Sequence, residues 1–140
     1  THDLDGEYGH GAHMVTADCV RLAVEAAADP ARYPGSAEAY GPWQAQKLYL
    51  HLYPENEVRL AYDEPLPAFG GKTAMEAAAD AYACHASQRP SWLRHLLRGT
   101  YDCTRYGLAA TAVGPDETGA DLFENIPLSE LVRAGEQKDG

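Results

Sequence analysis

Two histidines three residues apart are the side chains in this 140-residue chain best suited to chemistry. They are His10 and His13, in a run that continues directly into an apolar helical pattern. Residues at this spacing share one face of a helix, and neutral imidazole is a common zinc ligand. Gly9 and Gly11 let the backbone turn sharply beside them. The spacing predicts part of a metal site, and the alternative is a pair of solvated or capping histidines.

A third histidine, His51, lies in a segment whose pattern is typical of a strand. Between Gln46 and Tyr53, leucines alternate with Tyr49, His51 and Tyr53, which places the aromatics and the histidine on one face. His51 is therefore the next candidate for a metal ligand or an acid–base group. The alternative is a strand histidine hydrogen-bonded beneath a loop.

The helix that carries the histidine pair is predicted from Met14 to Ala28. The residue before a proline avoids helical geometry, so Asp29-Pro30 ends it. One face of this helix is apolar and is predicted to be buried. Its residues are Val15, Cys19, Leu22 and Ala26.

The rest of the pattern alternates between helices and strands, which favours the α/β class. Residues 1–9 read as an acidic loop, and 31–41 as a loop because Pro34-Gly35 and Tyr40-Gly41 are turn signals. We expect strands at Gln46–Tyr53, Glu57–Tyr62 and Tyr101–Val113, a turn-rich loop at Gly114–Gly119, and helices at Gly71–Ser87, Trp92–Leu97 and Leu122–Val132. The alanine-rich helix has a thin predicted packing face, made of Ala74, Ala77, Ala78, Ala81 and Cys84.

Composition narrows the range of partners. The chain has 11 basic and 21 acidic residues and a formal charge of −10. This balance argues against nucleic-acid and anionic-membrane partners and favours a neutral or cationic substrate. No segment has the apolar length of a membrane span, and no signal peptide is visible. We therefore expect a cytoplasmic protein.

The three cysteines are odd in number and lack C-x-x-C spacing, so the sequence does not predict a disulfide framework. Cys19 and Cys84 are each predicted to be small buried hydrophobes in a helix. A Cys-dependent hydrolase using Cys84 and His85 stays open, although adjacent residues of a helix point in different directions.

Several segments of the chain together resemble the PIG-L/LmbE family of zinc-dependent N-acetylglucosaminyl deacetylases. The functional signature is a tyrosine, a glycine and H-x-x-H at the head of a helix, here Tyr8-Gly9-His10-Gly11-Ala12-His13. Further matching segments are Gly41-Pro42-Trp43-Gln44, Lys47-Leu48-Tyr49, His51-Leu52-Tyr53-Pro54-Glu55-Asn56, Gly114-Pro115-Asp116 and Phe123-Glu124-Asn125. These later segments resemble the bacterial subset, which includes the teicoplanin-type deacetylases that act on glycopeptide antibiotics.

The resemblance implies a role for each residue of the signature. His13 would be the Zn²⁺ ligand. His10 would stand beside the metal and stabilise the tetrahedral intermediate or protonate the leaving nitrogen. Tyr8 would turn its hydroxyl toward the oxyanion, and its alternative role is packing on the first helical turn.

The chain also departs from the family pattern. The family often has H-P-D-H, whose Asp orients a histidine, whereas Gly11-Ala12 stands here. Asp3, Asp5, Glu7 or a residue from the N-terminal half of the enzyme would have to replace that carboxylate. The family's A-H-P-D-D-E-like turn, which supplies two further zinc ligands and the general base, has no counterpart in residues 1–140.

We therefore expect residues 1–140 to be the C-terminal part of a single deacetylase domain. The expected fold is the C-terminal half of a Rossmann-like, LmbE-type sheet flanked by helices, with a metal-site loop at 1–13 and a disordered tail at 135–140. The N-terminal half of the same enzyme would be the partner that completes the site.

The function implied is zinc-dependent removal of an N-acetyl or N-acyl group from a glucosaminyl substrate, with a glycopeptide pseudoaglycone as one candidate. Tyr33, Tyr40 and Trp43 are aromatic residues that stack on a sugar or an aglycone, or form a small satellite core. The alternative function is a catalytically inactive glycan-binding or interaction module of the same fold.

Overall fold

The computed structural model describes residues 1–7, 9–87 and 102–129. The chain divides into two compact units, Thr1–Arg59 with Arg105–Gly140, and Leu60–Thr104. The predicted helix Trp92–Leu97 and the predicted tail at 135–140 lie outside the described residues. The helices and strands together fit the general α/β class.

The first unit contains two helices and a three-stranded sheet. Its elements are α1 (Gly11–Ala28), α2 (Pro34–Tyr40), β1 (Lys47–His51), β2 (Glu57–Arg59) and β3 (Arg105–Thr111). The strand order is β1-β3-β2, and both pairings are antiparallel. The core is formed by Ala17, Ala26, Leu48, Leu50, Val58 and Leu108.

Helix α1 confirms the prediction of a helix ending at Ala28 and of a buried Ala26, but the other three residues of the predicted face are exposed. Val15 and Leu22 are 62% and 58% exposed, and Cys19 is exposed as well. The shielded stripe is instead His13, Ala17, Val20 and Val24. Both stripes have helical spacing, and the small side chain of Ala17 allows the close approach to β1 that the larger Leu22 would prevent.

The segment 31–41 was expected to be a loop but contains α2. Pro34 stands in the first turn, where a missing N–H costs nothing, and Gly41 ends the helix with φ +79°. Both turn signals are therefore the boundaries of a short helix. The expected helix at Leu122–Val132 is wrong for 122–127, of which 122–125 form turns.

The start of the chain extends the sheet beside β1. The Thr1 backbone nitrogen donates to the Tyr49 carbonyl at 2.7 Å, and the His51 backbone N–H donates to the Thr1 carbonyl at 3.0 Å. Thr1 is thus bonded to both Tyr49 and His51. A residue that bonds two residues of the adjacent strand, one on each side of the residue opposite it, shows the hydrogen-bond pattern of parallel strands. Residues 2–10 follow Thr1 in the chain, and His51 is the last residue of β1.

The second unit contains a 3₁₀ turn (Pro67–Phe69) and helix α3 (Ala74–Tyr82). Thr73 and Glu76 form a capping box that begins α3. The predicted helix is thus confirmed, but none of its nine residues is buried and Cys84 is exposed, so the predicted alanine packing face is wrong. Alanine favours the helix through backbone propensity without requiring a packing partner.

The turn at residues 117–119 is held by one carboxylate. Glu124 accepts hydrogen bonds from the Thr118 hydroxyl and from the backbone N–H groups of Glu117, Thr118 and Gly119. These bonds hold the pKa of Glu124 below its ordinary value. A carboxylate with a lowered folded pKa stabilises the protein above its unfolded pKa, and this contribution is lost as the pH falls through the folded value.

We therefore expect Glu124→Gln to be less stable than the unaltered chain at pH 7, and the difference to shrink as the pH falls below the ordinary value of 4.5 and through the lowered folded pKa. Urea unfolding at a series of pH values measures this, with the exposed Glu55→Gln as the matched control. A difference that stays constant from pH 7 to pH 3 would show that the ionised form of Glu124 contributes nothing.

Candidate metal centre

One carboxylate, that of Glu7, joins three histidines from different parts of the chain. Its Oε2 lies 2.8 Å from His2 Nδ1 and 3.6 Å from His13 Nδ1. Its Oε1 lies 2.8 Å from His51 Nδ1. The two oxygens therefore face different imidazoles, and the cluster joins the loop 1–10, the first turn of α1 and the end of β1.

The backbone around Glu7 follows a tight path. Gly6 has φ +79°, and a Cβ there would lie 2.5 Å from both the His10 carbonyl oxygen and Met14 Cγ. Glu7 itself has φ +44°, in the left-handed region that residues other than glycine rarely adopt. Its N–H donates to Asp3 Oδ1 at 2.8 Å, which supports this conformation. Gly6 thus permits the turn that brings the carboxylate back over α1.

The imidazole rings pack against one another. His2 stacks on His13 with centroids 4.2 Å apart and an interplanar angle of 4°. His10 is the N-cap residue of α1, and its ring meets that of His13 edge-on at 5.2 Å. The helical spacing therefore brings His10 and His13 together as predicted.

Two groups in this cluster have donor sets that could hold a metal ion. They are His2, Glu7 and His13, and Asp3, Glu7 and His51; in each, the potential ligand atoms lie within 4.8 Å of one another. Two imidazoles with one carboxylate is a donor set found in catalytic zinc sites. Two ligand atoms about 2.1 Å from a tetrahedral zinc are about 3.4 Å apart. The 3.6 Å between Glu7 Oε2 and His13 Nδ1 fits that separation.

Sequence reasoning identified part of this cluster. His13 and His51 both belong to it, and His10 lies beside it. Tyr8 lies outside the described residues. His2 was missed, although its position in an acidic segment with Asp3, Asp5 and Glu7 was a usable signal. Glu7 was considered only as a partner for His10, whereas its carboxylate bonds His2 and His51.

A second buried polar cluster lies at the opposite end of β1. Lys47 Nζ forms an ion pair with Asp116 Oδ1, and the Tyr49 hydroxyl donates to Asp116 Oδ2 at 2.6 Å. The side chains of Lys47 and Asp116 are 3% and 1% exposed. Burial acts to lower the pKa of Lys47, but hydrogen bonds to Asp116 and Tyr49 outweigh it and raise that pKa. Burial and the bond to Asp116 raise the pKa of Tyr49.

An apolar groove of about 750 Å³ lies between α1 and the segment that follows it. Tyr33, Tyr40 and Trp43 line it, and they are 64%, 90% and 74% exposed. They are therefore not a satellite core, and their rings are accessible to a ligand. No helix in the described part of the chain combines the length and apolar character needed to cross a membrane.

Comparisons with models of protein families, with curated proteins and with solved structures found no match to this chain.

Proposed function

We propose that this chain is the metal-binding part of a zinc-dependent hydrolase that removes the N-acyl group from a glucosaminyl substrate. The observation that carries the proposal is the convergence of His13 Nδ1 and the Glu7 carboxylate at the start of α1, with His2 beside them. It agrees with the resemblance of the Tyr8–His13 segment to the deacetylase signature.

The location of the cluster supports the same proposal. Ligand sites in mostly parallel α/β sheets lie beyond the carboxyl ends of the strands. The parallel pattern that bears on this rule is that between β1 and Thr1, because β3 pairs antiparallel with β1. The His2–His13 segment follows residue Thr1, which bonds β1 in the parallel pattern, and His51 is the last residue of β1. We infer a Rossmann-like sheet to which this chain contributes one half, with the general base and further ligands coming from the other half of the enzyme.

Each described residue then has a task. His13 and Glu7 hold the metal, and His2 stacks on His13 and bonds the same Glu7 oxygen. A bound zinc supplies Lewis acidity to the acyl oxygen and lowers the pKa of a bound water. His10, exposed beside His13, protonates the departing amine. Tyr8 is assigned to the oxyanion by the family resemblance alone.

The test is a pair of histidine variants. In the complete enzyme, we expect His13→Ala to lose zinc on dialysis, because it removes a ligand. We expect His10→Ala to keep zinc while turnover of an N-acetylglucosaminide falls about 10²-fold. Metal content by mass spectrometry and release of acetate measure the two effects. His85→Ala, which removes an exposed histidine of the other unit, is the matched control.

A His13→Ala protein with unchanged zinc would refute the ligand assignment, and full turnover by His10→Ala would remove His10 from the mechanism. Substrate choice is tested in the same assay, since a glycopeptide pseudoaglycone bearing N-acetylglucosamine and a simple N-acetylglucosaminide differ only in the aglycone.

The second candidate function is a glycan-binding module without catalysis. The exposed rings of Tyr33, Tyr40 and Trp43 along one groove favour it, because aromatic faces stack on sugars. This alternative requires sugar binding that is independent of metal and is lost in Trp43→Ala. Zinc-dependent release of acetate contradicts it.

A further inference from the structure

His51 is the most rigidly placed imidazole of the cluster. His51 is the last residue of β1 and is 5% exposed, and its backbone N–H donates to the Thr1 carbonyl at 3.0 Å. Its ring lies 5.5 Å from that of Tyr106 on the neighbouring strand. A side chain that projects from a strand and is packed on its neighbour is a precise support for a site.

Glu7, by contrast, lies on a loop and has the left-handed backbone angle φ +44°. Three hydrogen bonds fix it: the N–H to Asp3, Oε1 to His51 and Oε2 to His2. Asp3 and His2 belong to the same loop as Glu7. Of these three partners, only His51 joins the carboxylate to the sheet.

We propose that His51 is a positioning residue, which binds Glu7 Oε1 and thereby directs Oε2 toward His13 and sets the metal affinity of the site. The inference rests on the proposed function, in which Glu7 and His13 hold the metal. The geometry agrees with this positioning role, because His51 Nδ1 bonds Glu7 Oε1, whereas Glu7 Oε2 faces His2 and His13. Carboxylate ligands are in turn hydrogen-bonded, and removing such a partner lowers metal affinity 10- to 100-fold.

The experiment is a zinc titration of the complete enzyme, in which this chain is joined by the other half, against a chromophoric chelator. We expect one zinc per chain in the unaltered protein, a Kd about 10- to 100-fold higher in His51→Leu, and near-normal affinity in His51→Asn. The Asn amide nitrogen stands where Nδ1 stands in histidine, so it restores the donor to Glu7. Rescue by this variant is a readout that a merely structural role for the ring would not give.

Circular dichroism checks that each variant is folded. If His51→Leu fails to fold, His51→Gln replaces it. The Gln amide nitrogen lies where Nε2 lies in histidine, so it does not restore the bond that Nδ1 makes to Glu7. We therefore expect weakened zinc binding in His51→Gln too. A double-variant cycle with Glu7→Gln adds a second measurement. If His51 acts through Glu7, His51→Leu weakens binding much less once Glu7 has been altered.

Three results separate the possible failures. Wild-type affinity in folded His51→Leu, with zinc lost in His13→Ala, overturns the positioning role and leaves the proposed function standing. Unchanged zinc in His13→Ala, or no zinc in the unaltered complete enzyme, overturns both. Two zinc ions per chain, one of them lost in His51→Leu, would make His51 a ligand of a second ion with Asp3 and Glu7, which also overturns the positioning role.

Discussion

Replacing Lys47 with methionine is expected to lower the free energy of unfolding by about 3–5 kcal/mol. The ammonium group is paired with Asp116 where both side chains are almost wholly buried, and the Tyr49 hydroxyl bonds the other Asp116 oxygen. Methionine keeps the apolar stem but leaves the carboxylate buried without its counter-charge. Urea unfolding followed by circular dichroism measures the loss.

Two variants test the cause of that loss. In Lys47→Met with Asp116→Leu, the uncompensated charge is gone, and we expect much of the stability to return. The matched control is Lys72→Met. It breaks an ion pair with Asp80 in which both side chains are exposed, so it should change stability little. Equal losses at Lys47 and Lys72 would show that burial does not govern the contribution of the pair.

The same pair predicts a dependence on pH. The folded pKa of Lys47 is raised above its ordinary value of 10.5, so its contribution is fully present below that value and is lost as the pH rises through the folded pKa. The raised pKa of Tyr49 acts in the same direction. The stability difference between the unaltered chain and Lys47→Met should therefore shrink as the pH rises above 10.5 and through the folded pKa of Lys47.

Gly107→Ala is expected to cost about 3 kcal/mol, at the upper end of the range for overpacking. Gly107 lies on the central strand β3, opposite both Leu50 and Glu57. The connection from β1 to β2 must cross this strand, and an added Cβ would overlap the Tyr53 carbonyl oxygen and lie 2.6 Å from its carbon and 2.8 Å from the Glu55 oxygen. These neighbours are backbone atoms, so no side-chain rotation relieves the overlap.

Gly35→Ala is the control for that substitution. Gly35 lies in α2, a Cβ there meets nothing within 4 Å, and alanine favours a helix over glycine by about 0.5–1 kcal/mol. Thermal unfolding of both variants should therefore shift in opposite directions. A Gly107→Ala protein as stable as the unaltered chain would mean that the crossing connection can move away from β3.

The local sequence pattern was sufficient to predict individual helices and strands, whose residues lie close in sequence. Apolar residues at helical spacing and Asp29-Pro30 placed α1 and its end, and alternation placed β1 with Leu48 and Leu50 inward. The same rule of helical spacing brought His10 and His13 together. These features depend on the geometry of one helix or strand, and neighbouring residues determine that geometry directly.

Tertiary structure decided what depends on residues far apart in sequence. Both stripes of α1 have helical spacing, so only packing on β1 chose the one with Ala17 over the one with Leu22. The strand order β1-β3-β2 places Gly107, a residue of the predicted strand Tyr101–Val113, at the centre of the sheet and beneath a crossing loop.

The sequence by itself determined which side chains could bind a metal, because residue type sets the donor atoms. Tertiary structure decided which of them meet. His51 reaches Glu7 across 44 positions and Asp116 reaches Lys47 across 69, because the sheet and the left-handed turn at Gly6 and Glu7 bring them together. No pattern of neighbouring residues encodes such distances, since they arise from chain reversal and packing.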